Sequence, residues 1–201
     1  MLSDSGATGA ADRDRLGARL RELRLAAGVS QRALAGRLGI SISAVSQIER
    51  GAMQPSVGRL IAVVGALGVP LSAVFDSAAP EPAAVAPAVV ESAVIRAGEV
   101  APVVLDGGVL FRRLAPGLVD TVDFFESTYP PGATSTAHRQ FLRHDGFEIG
   151  TVTLGELTIE FEDEVVVLAA GDAITFPCER PHRMVNRGPA PAVATWLIVH
   201  R

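Results

Sequence analysis

Residues 30–51 read SQRALAGRLGISISAVSQIERG, and this stretch decides the fold of the first third of the chain. Ser30 is a good N-cap, because its hydroxyl can accept from a backbone N–H at the start of a helix. Leu34, Ala35 and Leu38 follow at helical spacing and share one inward face. Gly39 interrupts the run and predicts a tight turn. Ser41 then caps a second short helix with Val45 and Ile48 on one side, and Gly51 ends it.

Working outward, Leu16, Leu20 and Leu23 are spaced four and three apart, which predicts a helix from about Asp14 that Gly28 terminates. Downstream, Pro55 opens a fourth helix with Leu60, Ile61, Val64 and Leu67 as its apolar face. Pro70 opens a fifth, short helical turn through Leu71, Val74 and Phe75. A five-helix domain over 14–76 is therefore expected, behind a small polar tail, 1–13, expected to be disordered. Residues 77–93 read SAAPEPAAVAPAVVESA, and their three prolines in an Ala-rich run predict a semi-rigid linker over 77–92.

From residue 93 the pattern changes to short β-rich runs separated by Gly and Pro. The candidates are Val94–Arg96, Val109–Leu114, Val122–Thr128, Phe147–Leu154, Leu157–Phe161, Val165–Leu168, Ala173–Phe176 and Val193–His200. Many short strands at close spacing predict an all-β sandwich or small barrel over 93–201. The whole is an α+β chain of two domains.

Charge divides along the same line. Residues 1–76 hold nine Arg against six acids, a net of +3, whereas 77–201 hold nine Arg against sixteen acids, a net of −7. Such asymmetry suggests a nucleic-acid-facing first part and a different second part. All eighteen basic residues are Arg. The lone cysteine, Cys178, excludes an internal disulfide framework and fits a reducing compartment. The longest apolar stretch, Leu60 to Val69, is about half of what spans a bilayer. With no apolar leader near the start, a soluble, cytoplasmic protein without a membrane partner is expected.

Two short helices around a Gly turn form a helix-turn-helix unit, whose second helix enters the DNA major groove N-terminus first. That helix begins at Ser41. With Val45 and Ile48 facing inward, Ile42, Ser43, Ser46 and Gln47 face out. Gln47 can pair with an adenine edge and Ile42 can touch a thymine methyl. Gln31, at the start of the preceding helix, can meet a phosphate. Arg32, Arg37 and Arg50 are further phosphate candidates.

The run from Leu16 to Phe75 resembles the Xre/Cro-type helix-turn-helix family. The resemblance is carried by Leu20-Arg21-Glu22-Leu23-Arg24, Ser30-Gln31-Arg32-Ala33-Leu34-Ala35 and Ser43-Ala44-Val45-Ser46-Gln47-Ile48-Glu49-Arg50-Gly51. It implies that Gln31, Ile42, Ser43 and Gln47 meet DNA, and that Arg24 and Glu49 form an internal ion pair.

The second half resembles the cupin family. Gly171, Pro177, His182 and Asn186 fall at the spacing of that family's second motif, with Glu179 where a second Gly belongs. The first motif is degenerate, and two registers compete. Counting from Gly132 puts His138 and Gln140 in the two His positions, with Glu148 too distant. Counting back from Glu148 and Gly155 puts Leu142 and His144 there instead, and this register keeps the His–Glu spacing. The resemblance then implies a site of His144, Glu148 and His182. Two His and one carboxylate suit one divalent ion, Fe, Mn, Ni or Zn, with open coordination positions. Cys178, Phe161 and Trp196 read as core residues.

The expected function is a sequence-specific DNA-binding transcriptional regulator without enzymatic activity. Its barrel would bind a metal and/or a small effector and hold a homodimer on a palindromic operator, with recognition helices about 34 Å apart. The alternative is a non-haem iron enzyme with a helix-turn-helix-like head, similar in layout to hydroxypropylphosphonate epoxidase. A barrel that only dimerises is a third reading.

Overall fold

A computed structural model describes residues 5–75, 94, 96, 99–115, 121–137 and 140–200. The linker expected over 77–92 lies outside the described residues.

Helix α1 runs Ser5–Ala26, α2 Gln31–Leu38, α3 Ile42–Glu49 and α4 Val57–Leu67. The two caps read from sequence are in place. Ser30 Oγ accepts from Ala33 N at 3.1 Å and Ser41 Oγ from Ala44 N at 3.0 Å. Gly39 sits at φ +63°, the left-handed region that a residue with Cβ enters only at a cost, and it makes the turn between α2 and α3. Leu20, Leu34, Val45, Ile48 and Leu60 close the head's core, each at most 4% exposed.

Three expectations are corrected. The tail expected to be disordered is helical from Ser5, and the Ala content of residues 7–11 favours that state; residues 1–4 lie outside the described residues. Helix α4 begins at Val57 behind a Ser56 cap rather than at Pro55. The fifth helix is a single 3-10 turn, Leu71–Val74, so the head has four α-helices among the described residues. With only four residues between Pro70 and Phe75, one turn is all the length permits.

The second half is all β. Its strands are β1 Val103–Val104, β2 Leu110–Arg113, β3 Val122–Tyr129, β4 Phe147–Leu154, β5 Glu156–Phe161, β6 Val165–Ala169, β7 Ala173–Pro177, β8 His182–Val185 and β9 Ala192–Val199. A six-stranded sheet, β1-β2-β3-β9-β4-β7, faces a three-stranded one, β6-β5-β8. Strands β3 and β9 alternate buried and less buried residues, as one-faced strands must. Phe125, Leu157, Ile159, Phe161, Met184 and Trp196 fill the interior, and Trp196 Nε1 donates to Ser127 Oγ at 2.9 Å. The strand expected at Val94–Arg96 is absent at its two described residues, Val94 and Arg96. Strands β1 and β8 were not expected. The first is only two residues long. The second follows Pro181, and its His182 and Arg183 hide an alternation in which His182 and Met184 point inward.

Head and barrel dock directly. The head's Pro55 O accepts from Asp106 N at 3.0 Å, and Gly58 N donates to Ser135 O at 2.9 Å. A Cβ on Gly58 would stand 3.1 Å from Thr136 Cγ2, so the bare backbone permits this approach. Asp123 Oδ1 on β3 accepts from Ser72 N at 3.1 Å, while its Oδ2 lies 2.8 Å from His200 Nε2. The Phe75 ring stacks on Phe111, with centroids 5.9 Å apart.

Candidate functional sites

The first site is the outer face of α3. Ser41, Ile42 and Ser43 are exposed, Ser46 and Gln47 half-buried, and Arg32 and Arg50 exposed. Gln47 Nε2 donates to Ser43 Oγ at 3.3 Å, one helical turn back, which aligns the two along the outward row. Arg50 Nε donates to Ser46 O at 3.2 Å. Arg37, a phosphate candidate, is engaged instead with Ala66 O at 2.6 Å and ties α2 to α4.

Behind this face lies a brace that holds the two short helices in register. Arg24 on α1 makes two hydrogen bonds to Glu49, Nε to Oε1 at 2.5 Å and Nη2 to Oε2 at 3.0 Å. Both residues are buried, so the pair is charge-assisted and well ordered. Burial pushes the Glu49 carboxyl up, but hydrogen bonds from Arg24 and Gln31 and the charges of Arg24 and Arg21 outweigh it and hold it below its usual value. The same pair raises Arg24. Gln31 Nε2 donates to Glu49 Oε2 at 2.8 Å. Sequence reasoning assigned the ion pair to these residues but did not place Gln31 on it.

The second site is inside the barrel. Glu148 points inward from β4, His182 inward from β8, and His144 reaches in from the loop before β4. That loop is held like a strand: Leu142 N donates to His182 O at 2.8 Å and His182 N to Leu142 O at 3.1 Å. Leu142 is buried and so fills the place that the preferred register gave it, whereas Gln140 is exposed. His138, from the other register, lies outside the described residues.

The triad's ligand atoms all lie within 4.8 Å of one another. His182 Nε2 is 3.3 Å and His144 Nε2 3.8 Å from Glu148 Oε2. These three buried atoms have no hydrogen-bond partner, and buried polar atoms without partners call for an explanation. The opposite ring nitrogens face carbonyl oxygens, Nδ1 of His182 to Arg180 O at 2.8 Å and Nδ1 of His144 to Asp145 O at 3.2 Å. A proton on each Nδ1 leaves an Nε2 lone pair aimed at the shared centre, which is how a carbonyl accepting from the far ring nitrogen orients a metal-bound histidine. Burial, opposed by the Glu148 charge and reinforced by His182, lowers the His144 pKa and favours the neutral imidazole a metal requires. At metal–ligand bonds of about 2.0–2.2 Å, neighbouring donor atoms stand roughly 3–3.5 Å apart, close to the two separations to Glu148. The donor set therefore fits a divalent ion.

Cys178 is fully buried, and burial together with Glu148 and its acidic neighbours pushes its thiol up, so it stays protonated in the core. Asn186 is structural: its amide donates to Tyr129 O and Ala190 O, both at 2.8 Å. No helix among the described residues is long and apolar enough to cross a membrane.

A capped helix-turn-helix joined to a double-sheet barrel with an inward His/Glu/His cluster is the architecture of a two-domain regulator. Comparison with known proteins bears this out. The helix-turn-helix family profile matches residues 20–74 and the cupin domain profile residues 125–198. The chain is 32% identical over 171 residues to the HTH-type transcriptional regulator PuuR of Escherichia coli (strain K12), covering 85% of this chain and 86% of that one, with the same figures for PuuR of Shigella flexneri. The chain belongs to this family of HTH-type transcriptional regulators with a cupin domain. An HTH_3 family transcriptional regulator from Vibrio cholerae has the same two-domain fold, with a TM-score of 0.67 at 20% identity over 96% of this chain and 99% of that one.

Proposed function

We propose that the protein binds a palindromic DNA operator as a homodimer and that its barrel holds one divalent metal ion and answers to a small effector. The carrying observation is the outward row on α3, exposed at its N-terminal end and braced from behind by Arg24, Glu49 and Gln31. In this reading Ile42, Ser43, Ser46 and Gln47 address base edges, while Ser41 and the start of α3 face the backbone. Arg32, Arg50 and the second amide N–H of Gln31 meet phosphates. In this reading the protein acts in the cytoplasm.

His144, Glu148 and His182 would hold the metal, which supplies a Lewis-acid centre with positions open to an effector. The head takes in α1 to the 3-10 turn and the barrel β1 to β9. The homodimer is formed through the outer face of the six-stranded sheet. There, Phe124, Phe147 and Ile149 are exposed, and in register Phe124 and Ile149 flank Leu197 while Phe147 sits beside Val199. Leaving out the two-residue β1, its strands, about 4.8 Å apart and four to eight residues long, give this face on the order of 500 Å². That is over half of the roughly 800 Å² per partner of a stable interface, and flanking loops would supply the rest.

The enzyme reading draws on the triad and on Arg112, Arg113 and Arg143 as anion partners. Arg112 is already paired with Glu126 at 2.8 Å, which counts against that reading.

Selection of bound fragments from random duplexes, followed by titration at several salt concentrations, tests the DNA role. A palindromic site whose affinity falls steeply with salt is expected; no enriched sequence and a flat salt response would refute the regulator. Metal analysis of the wild type and His182→Ala tests the triad, and equal metal content in both would refute it.

A further inference from the structure

The barrel's open end does not face solvent alone. A cleft of about 900 Å³ lies between it and the head. The head wall is α4 and the segment after it, chiefly Ile61, Val64, Val69 and Leu71. The barrel wall includes Asp123 and Ile198, which belong to the inward rows of β3 and β9. The rim carries Arg143, His144 and His200. His144 thus belongs to both places: it lines the cleft, and its Nε2 faces Glu148 in the triad.

The geometry points to this cleft as the effector site, shared by head and barrel, and to a small carboxylate with a short aliphatic body as the ligand. The inference rests on the metal reading of the triad. A divalent ion held by the triad would carry more positive charge than Glu148 cancels, and His144, shared by triad and cleft, would put that charge beside the cleft, which favours an anionic ligand there. Arg143 adds positive charge at the rim. The buried acid of the cleft, Asp123, already accepts from Ser72 N and faces His200 Nε2 at 2.8 Å, so it is engaged on both oxygens and offers little to a cation. Asp145 is on the exposed side of the loop, where solvent screens it. The aliphatic body then lies on the apolar wall formed by α4 and Ile198.

This position gives the ligand a route to the DNA face. Helix α4 is tied to α2 at both ends, through Arg59 Nη1 to Leu38 O at 3.2 Å and Arg37 Nη1 to Ala66 O at 2.6 Å. A ligand that presses on α4 therefore acts on the first helix of the DNA-reading pair.

The test uses the full chain loaded with Zn²⁺ or Mn²⁺, with metal content measured on every sample. Linear monocarboxylates of four to eight carbons and amines of the same lengths are titrated by calorimetry, and operator affinity is measured with each. A Cβ on Gly65, which lines the cleft, meets nothing within 4 Å, so Gly65→Trp fills the space from a helical position that tolerates a side chain. Expected are carboxylate binding to the loaded wild type, a change in operator affinity on binding, and at least a tenfold weaker carboxylate affinity in Gly65→Trp at wild-type metal content and helicity. Carboxylates that bind Gly65→Trp as tightly as the wild type would overturn the cleft as the site. Amines binding in place of carboxylates, or neither binding the loaded chain, would overturn the ligand class. Should Gly65→Trp lose helicity, Ile61→Phe gives the same comparison from the same wall. A wild type that takes up no metal fails the metal reading and this inference together, and the metal analysis identifies that outcome.

Discussion

Replacing Glu49 by Ala should be among the most damaging single changes in the head. Its side chain and that of Arg24 are 3% and 8% exposed, joined by two hydrogen bonds, with Gln31 donating to the same carboxylate. Truncating Glu49 leaves the Arg24 guanidinium buried without its counter-ion; breaking a buried pair in this way costs about 3–5 kcal/mol. The loss is a large share of the roughly 5–15 kcal/mol that holds a domain together. Replacing both partners by apolar residues of similar length, Arg24→Met with Glu49→Leu, removes the stranded charge and should recover at least half of the loss. Urea titration followed by helical circular dichroism measures both. The effect carries a pH signature. Glu49 is held below its usual value of about 4.5, so its contribution is complete above that pH and fades as pH falls through the lower folded value. Wild type and Glu49→Ala should therefore converge in stability in strong acid. A loss under about 1 kcal/mol at neutral pH, or a double variant as unstable as the single one, would refute the buried-brace account.

Gln47→Ala should lower discrimination at one operator position by about 1–3 kcal/mol while leaving non-specific affinity nearly unchanged, as competition binding with substituted duplexes would show. Gly39→Ala should destabilise the head by roughly 1–2 kcal/mol, because the turn holds φ at +63°; thermal melting reads this. Ile149→Arg, at the centre of the apolar sheet face, should convert a dimer to a monomer in sedimentation velocity and weaken operator binding without altering metal content.

The helices at the DNA face were legible because their signals are local. Ser30, Gly39 and Ser41 set two caps and a turn within twelve residues, and each acts on neighbouring backbone. The 3-10 turn at Leu71–Val74 was harder, since hydrophobic spacing over four residues does not distinguish the two helix types. Strand β8 was hidden by the chemistry of the site itself: His182 points inward, where an apolar residue would have completed the alternation. The cluster was legible through motif spacing, since the register that keeps the His144–Glu148 spacing names the residues that the fold brings together with His182; the burial of Leu142 could not be read from the sequence. The docking of head on barrel was not legible at all. Gly58 meets Ser135 and Ser72 meets Asp123 across at least 51 positions of sequence, and no local pattern marks residues that meet only in the folded chain.

Trp196 and Tyr129 are the only tryptophan and tyrosine in the chain, and both are buried in the barrel. Intrinsic fluorescence is therefore an optical label for one domain, and the head is dark at those wavelengths. The indole is held by Ser127 between the sheets, so a red shift of its emission reports the opening of the barrel. Followed alongside the helical signal, which comes from the head, it separates the two unfolding events in one sample. If the transitions coincide, the Phe75–Phe111 stack and the Asp123–Ser72 bond couple the domains into one cooperative unit. If the head melts first, the barrel is an independent platform on which the DNA-reading face is carried.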